Sequence, residues 1–371
     1  MSFFYIAKRL DSGHNKRMKL KVLYLFTGYR GPHLAKVKAG EEQGNGYWGM
    51  LRLHKFDIDA THVGVEELFP LGFATFLRKY INVYWIHLPV YPFFFSYDII
   101  FTSTGYGTQL LHTVLHIRRP QWVMHDFSIM GLLGKEKTFR QKIFAWMVSR
   151  CAGIVTLSED EAGQLKKRFP HLKNSIECIP YGVELDYFKP AEKIGNGPIF
   201  APGRDPDRDL KLLFKAAEGL GKEVLVTTHL SRLEKLKPLP NYVVHKTLSV
   251  PELKQAYEDA AIVVIPLDTS TGLNNAMGIS ALYEALAMGK AIVASKTLAM
   301  ETYIVDGENG LLVPEGDVAA MRQALSRLVT DRELRERLGK NARAYAEAYL
   351  DADRCTGHLA DLFKKISSAQ K

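Results

Sequence analysis

At 371 residues, with 47% hydrophobic and 24% charged residues, the chain has material for two ordinary domains and is too rich in core formers to be disordered. Three scattered cysteines, Cys151, Cys178 and Cys355, form no CxxC pair, so neither a zinc site nor a disulfide framework is indicated. The net charge of +9 is concentrated at one end, where residues 1–40 hold nine Lys/Arg against the single acid Asp11.

Residues 1–17 read as a basic N-terminal extension ahead of a domain starting at Met18, "MKLKVLYLF". They lack an apolar h-region and are not a secretory signal. Their charge suits anionic lipid headgroups or nucleic acid, and equally a solvated tail. The cationic and aromatic residues form no recognised RNA motif, so no nucleic-acid partner is expected.

The apolar run "KVLYLFTGYRG" ends in glycines, as a first parallel strand should. Residues 73–97 then carry ten aromatics in 25 positions, beside Arg78 and Lys79. That composition fits an interfacial surface or an apolar acceptor groove, and it fits an ordinary core as well. Pro89, Pro92 and Asp98 exclude a membrane-spanning helix there. The expectation is a cytoplasmic protein, with membrane association on the cytoplasmic face if the surface reading holds.

"YDIIFTST", "PQWVMHDF" and "AGIVTLS" continue the sheet. Prolines and glycines crowd Pro190–Pro198 and predict a domain boundary. A second α/β series follows: "PIFAPGR", "EVLVTTH", "YVVHK", "AIVVIPL" and "KAIVAS" as strands, with helices between them and a helical tail from Val318. Alternation of this kind predicts two Rossmann-like doubly wound α/β domains, 18–190 and 191–350, with a final helix over 351–371.

Three constellations carry chemistry. In "MGISALYEALAMG", Ile279, Leu282, Tyr283 and Leu286 keep helical spacing, and the helix opens at Gly278-Ile279-Ser280 after an irregular loop. Unpaired N–H groups and the positive dipole end at such a start suit a diphosphate, with Glu284 one turn on, within reach of a ribose hydroxyl. Set against this is a plain amphipathic helix with a solvent-facing glutamate. In "APGRDPDRD", Arg204 and Arg208 can clamp phosphate oxygens, or simply pair with Asp205, Asp207 or Asp209. His125-Asp126 ends an N-domain strand, where an open α/β sheet places its ligands.

The blocks "SRCAGIVTLSEDEAGQLKKRF", "IECIPYGVELDYFKP", "YEALAMGKAIVAS" and "ETYIVDGENGLLVPEGD" resemble, in order, the signature segments of family 4 retaining glycosyltransferases. The match covers about residues 151–317. The resemblance implies a GT-B fold with a cleft between its domains and a C-terminal helix crossing back to the first. It also implies a nucleotide-diphosphate sugar donor, UDP- or GDP-linked, a sugar, glycan or lipid-linked acceptor, and retention of configuration without metal or cofactor.

Arg204 takes the family's phosphate-binding arginine, Arg208 the place usually held by lysine, Glu284 the second glutamate of its E-x7-E pattern and His125 its N-domain histidine. Ala276 stands where the first, sugar-contacting glutamate belongs, leaving Asp268 or Asn275 as substitutes. The triplets Asp57-Ile58-Asp59, Asp205-Pro206-Asp207 and Asp351-Ala352-Asp353 have the form of a metal-binding DxD but are common by chance, so no metal is assigned. Two other classes fit the pattern: a GT-B epimerase or phosphorylase, and a non-catalytic sugar-nucleotide-binding protein.

Overall fold

The computed structural model describes residues 19–39, 42, 44–126, 129–191, 196–204, 207–270 and 276–369. The basic extension, Asp205 and Asn275 lie outside the described residues. Contacts divide the chain into two compact units. The first runs up to Leu157 and adds Ala162–Ile179 and the chain from Cys355; the second holds Ser158–Glu161 and Pro180–Arg354.

The chain thus crosses between units at Pro180, ahead of the Pro190–Pro198 stretch. The reason lies in how Pro180–Pro190 is held. Val183 donates its N–H to Leu350 O (2.8 Å), and Phe188 is buried at 1% exposure. Arg343 Nη1 donates to both Phe188 O (2.7 Å) and Ala287 O (2.8 Å), tying the segment to a helix end of the second unit. Local turn composition cannot register contacts made with residues more than 150 positions away, such as Phe188 with Arg343.

In the first unit, β1 (Leu20–Leu25), β2 (Ile58–His62), β3 (Ile99–Thr102), β4 (Gln121–His125), β5 (Gly153–Thr156) and β6 (Ile176–Cys178) form one parallel sheet in the order β2-β1-β3-β4-β5-β6. Helices on both faces explain why β3 and β5 are buried at every position. From Cys355 on, the last helix (Ala352–Ser368) joins this core, with Leu359, Leu362 and Phe363 against Val22, Tyr24 and Phe101. Gly153 is required there, since a Cβ would stand 2.6 Å from Ile366 Cδ1 and 2.9 Å from Ser175 O.

The aromatic segment divides between the two readings. Phe94 is fully buried beside Trp122, whereas Phe73, Phe76 and Tyr80 on the helix Leu71–Tyr80 are 48%, 53% and 66% exposed. No described helix is long and apolar enough to cross a membrane.

In the second unit, β7 (Ile199–Ala201), β8 (Val224–Val226), β9 (Val243–His245), β10 (Ile262–Ile265), β11 (Ile292–Ser295) and β12 (Leu311–Val313) form another parallel sheet, ordered β12-β11-β10-β7-β8-β9. The chain winds outward from β7 to β9, then returns to place β10 on the other side of β7. The strand order therefore reverses between β7 and β10, and open α/β sheets bind ligands outside the carboxyl ends of the strands at such a point.

Candidate functional site

The loops leaving β7 and β10 meet at that switch point. Arg208, in the loop after β7, forms an isolated antiparallel bridge with Leu267, just past β10. Asp209 donates its N–H to Pro266 O (3.0 Å), and Leu267 donates its own to Ser295 Oγ (2.8 Å), which adds the end of β11. Asp209 also caps the helix Leu210–Ala217, accepting from Leu212 N–H at 2.9 Å, so one acid of the loop serves structure.

Arg208 is only 6% exposed, and its guanidinium lies against Gly203. Gly203 sits at φ +112°, where a Cβ would come within 2.4 Å of Arg208 Nη2, so glycine makes room for the guanidinium. Arg204, by contrast, is exposed.

The helix Ile279–Ala287 begins behind these loops. Its N-cap, Gly278, is left-handed at φ +78° and offers no side chain to the first-turn N–H groups. A Cβ there would lie 2.8 Å from Ile265 Cγ2 and 2.9 Å from Met300 Cε. Gly278→Ala combines backbone strain with overpacking, together about 2–4 kcal/mol. A fall in melting temperature is the expected result, and a variant melting with the wild type would refute the account of this turn.

Ile279, Leu282, Tyr283 and Leu286 are buried as their spacing predicts, but Ala281, Ala285 and Ala287 are buried too, so the helix is enclosed on nearly every side. Ser280 is exposed, and its hydroxyl hydrogen-bonds that of Tyr181 at 2.7 Å.

Glu284 does not face solvent. The residue is half-buried, with its carboxylate turned inward to accept from Tyr257 Oη (2.8 Å). Burial raises its pKa to about 7, against the lowering effects of the Tyr257 hydrogen bond and the Arg208 charge. Tyr257 is fully buried, and its phenol is held well above the usual value by burial first and by Glu284 second.

Two cations hold the surrounding frame. Lys290 Nζ donates to Glu258 O (2.8 Å) and Ala260 O (3.1 Å), fixing the end of the helix Val250–Asp259 that carries Tyr257. Arg343 fixes the far end of the Glu284 helix through Ala287 O.

The switch point thus unites Arg208, Gly278, Ile279 and Glu284, with Ser280 at the exposed edge and Arg204 on the same loop as Arg208. His125 belongs to the other unit. It is 1% exposed between Trp48 (4.8 Å between centroids) and Phe101 (5.3 Å), and burial lowers its pKa to about 3, so the ring is neutral. Ala276 is buried at 8% exposure, while Asp268 is exposed, and hydrogen bonds from the Ser270 side chain and then from its N–H (3.0 Å) hold its carboxyl below the usual value.

Sequence reasoning missed Tyr257 and Tyr181. Tyr257 lies on the apolar side of "VPELKQAYEDA", where a tyrosine reads as core, and only its position opposite Glu284 reveals the hydrogen bond. Tyr181 sits inside the "PYGVELDYF" block, but nothing in that string points to residue 280.

The first unit has its own switch point, between β1 and β3. Past β1, Arg30 lies over the Phe26 ring (4.8 Å to its centroid) and Tyr47 donates to Arg30 O. Arg78 joins Glu66 to Thr27 O, and His87 Nε2 pairs with Phe26 O at 3.0 Å. The Gly28–Gly31 loop is therefore anchored at its base, and Gly28 itself has open space around it.

Comparison with known proteins agrees with this architecture. The model of glycosyl transferases group 1 matches residues 220–345. D-inositol 3-phosphate glycosyltransferase of Kribbella flavida is 32% identical over 331 residues, covering 76% of this chain and 73% of that protein. The chain belongs to the glycosyl transferases group 1.

Alignments with the proteins of the same name from Corynebacterium efficiens (28% identity, 58% of this chain) and Saccharomonospora viridis (25%, 60%) span 49% and 58% of those proteins, about half their length. Among solved structures, sucrose-phosphate synthase from Thermosynechococcus elongatus superposes with a TM-score of 0.70 at 17% identity, covering 95% of this chain and all of that one. Anabaena HepE, solved with UDP and glucose, superposes at 0.65 and 15% identity, covering 93% and 99%. The GT-B fold expected from the sequence is the fold these neighbours share.

Proposed function

We propose that this chain transfers a sugar from a nucleotide-diphosphate sugar, UDP- or GDP-linked, to a sugar, glycan or lipid-linked acceptor, with retention of configuration and without a metal. One observation carries the reading. A buried arginine, an uncapped helix start and a carboxyl titrating near neutrality converge at the carboxyl-end switch point of the second sheet.

In this reading, Arg204, Arg208 and the N–H groups of Ile279 and Ser280 hold the diphosphate. They stabilise the charge that develops as the bond between the anomeric carbon and the phosphate oxygen breaks. Ionised Glu284 accepts from the ribose hydroxyls. The acceptor oxygen bonds to the anomeric carbon on the departing face, and its proton passes to the leaving phosphate, so no side-chain nucleophile is needed. The backbone around β9 reads the base, and His125 stays neutral and orients the sugar. Asp268 takes the sugar contacts that Ala276 cannot make. Exposed Phe73, Phe76 and Tyr80 supply a peripheral membrane contact for a lipid-linked acceptor.

UDP, GDP and ADP should separate in a thermal-shift experiment. A ligand at 100 times its Kd stabilises the native state by about 2.7 kcal/mol, so the cognate nucleotide raises the melting temperature by several degrees. EDTA should leave both the shift and sugar transfer unchanged. If no nucleoside diphosphate shifts the transition, the donor-site assignment is wrong. If Mn²⁺ is needed, the metal-free mechanism is wrong.

A further inference from the structure

The carboxyl edge of the first sheet holds His125, but a second opening lies at the opposite, amino-terminal edge. It is a cavity of about 950 Å³ lined by residues including Gln109, Arg118, Arg119, Trp122, Trp146 and Arg150. Arg118 and Arg119 lie on the connection from the helix Tyr106–Val114 into β4, and Arg150 on the connection from Phe139–Val148 into β5.

Three features are unusual together. Among the described residues the lining includes three guanidinium groups and no carboxylate, and none of the three arginines forms an ion pair. Both helices end here with their carbonyl ends, so the arginines, not helix dipoles, set the positive potential.

The second feature is polar and buried. Gln109 is 1% exposed, and neither its amide nitrogen nor its amide oxygen has a partner among the described residues. Trp122 is 4% exposed, and its indole N–H is likewise unpaired. Buried polar atoms are nearly always hydrogen-bonded, so two such side chains lining one cavity point to a ligand that supplies acceptors to Gln109 Nε2 and the Trp122 indole and a hydroxyl donor, such as a protonated phosphate oxygen, to Gln109 Oε1. Third, Val114 and Leu115 at the end of the first helix are 53% and 54% exposed, giving apolar groups close to the charged ones.

We propose that this cavity binds a phosphate-bearing anion, distinct from the donor nucleotide. Arg118, Arg119 and Arg150 engage the phosphate oxygens through their planar forks, and the Gln109 amide and the Trp122 indole donate to the same group. The ligand is a soluble diphosphate or the headgroup of an anionic lipid. Val114 and Leu115 would meet the acyl region in the second case. The proposal concerns the first unit alone and is independent of the donor chemistry.

The test uses the full chain with two probes: inorganic pyrophosphate by isothermal titration, and phosphatidylcholine vesicles with and without phosphatidylglycerol by co-sedimentation. Binding to at least one probe is expected to weaken tenfold or more in the Arg118→Gln/Arg119→Gln variant. The melting temperature and the nucleotide-induced shift should stay unchanged, since the donor residues lie in the other unit. Loss on pyrophosphate identifies a soluble ligand, and loss on anionic vesicles alone identifies a lipid headgroup. Gln109→Leu should weaken the same binding without lowering the melting temperature, because it removes an unpaired buried amide. If the double variant fails to fold, Arg150→Gln at its exposed position carries the same comparison. Wild-type binding of both probes by the folded variants, or no binding by the wild type, overturns the proposal.

Discussion

Arg208→Ala is expected to weaken nucleotide-diphosphate binding by at least tenfold and to reduce sugar transfer by two or more orders of magnitude. The guanidinium does two things at once. It is the buried cation of the proposed phosphate site, where removing a charge-assisted partner costs about 1.5–3 kcal/mol in binding alone. It also lowers the pKa of Glu284, which burial has already raised to about 7. Without that charge the carboxyl moves above 7 and is mostly protonated at neutral pH, so ribose loses an ionised acceptor as well. Arg208→Lys should retain much of the activity, because the charge survives in the smaller space that Gly203 borders. Titration calorimetry with the cognate nucleotide, in parallel with turnover, separates the two substitutions. Equal losses for lysine and alanine would mean that shape, not charge, is what the site requires.

Exposed Arg204 gives the contrast. Its side chain is exposed and lies outside the buried core, so Arg204→Ala should lower transfer without a change in melting temperature.

The sequence carried the order and type of these elements because parallel strands buried on both faces must be continuous apolar runs, as in Ile262–Ile265 and Ile99–Thr102. Gly278 was legible as the helix start, from the periodicity of Ile279, Leu282, Tyr283 and Leu286, but its left-handed backbone was not. Glu284 was legible as a residue but not as an environment. Helical spacing placed it one turn from the helix start. Its inward rotamer depends on Tyr257, 27 positions earlier on a different helix.

The hold on Pro180–Pro190 was illegible because it rests on Arg343 reaching back to Phe188. The aromatic run divided between core and surface for the same kind of reason. Phe94 and Phe95 are adjacent, yet one is fully buried and the other 54% exposed, a difference set by the turn they share and by Trp122 beneath it. Arg118 and Arg119 lie about thirty positions before Arg150 in the chain, and only the two loops at one sheet edge bring the three together.

Glu284→Gln is expected to stabilise the protein at pH 8 and to weaken nucleotide binding. The folded carboxyl has a pKa of about 7, raised from 4.5. Between those values the folded state holds a proton that the unfolded state has released. Stability therefore falls as pH rises through this window and stays lower above it. Glutamine carries no charge to bury and can still accept from Tyr257, so it escapes that penalty, roughly 3 kcal/mol at pH 8. At pH 4 the two proteins should melt nearly together, because both then bury a neutral group.

Binding runs the other way. Ribose hydroxyls prefer the ionised carboxylate, so wild-type affinity should rise with pH through about 7. The glutamine variant should bind more weakly above that pH and lack this rise. The nucleotide's own phosphate ionisation is common to both proteins and cancels in the comparison. A variant that gains stability at high pH and loses the pH-dependent part of its nucleotide affinity places one carboxyl at the centre of both effects. Parallel pH profiles for wild type and variant would instead assign Glu284 to the frame of the helix and remove it from the site.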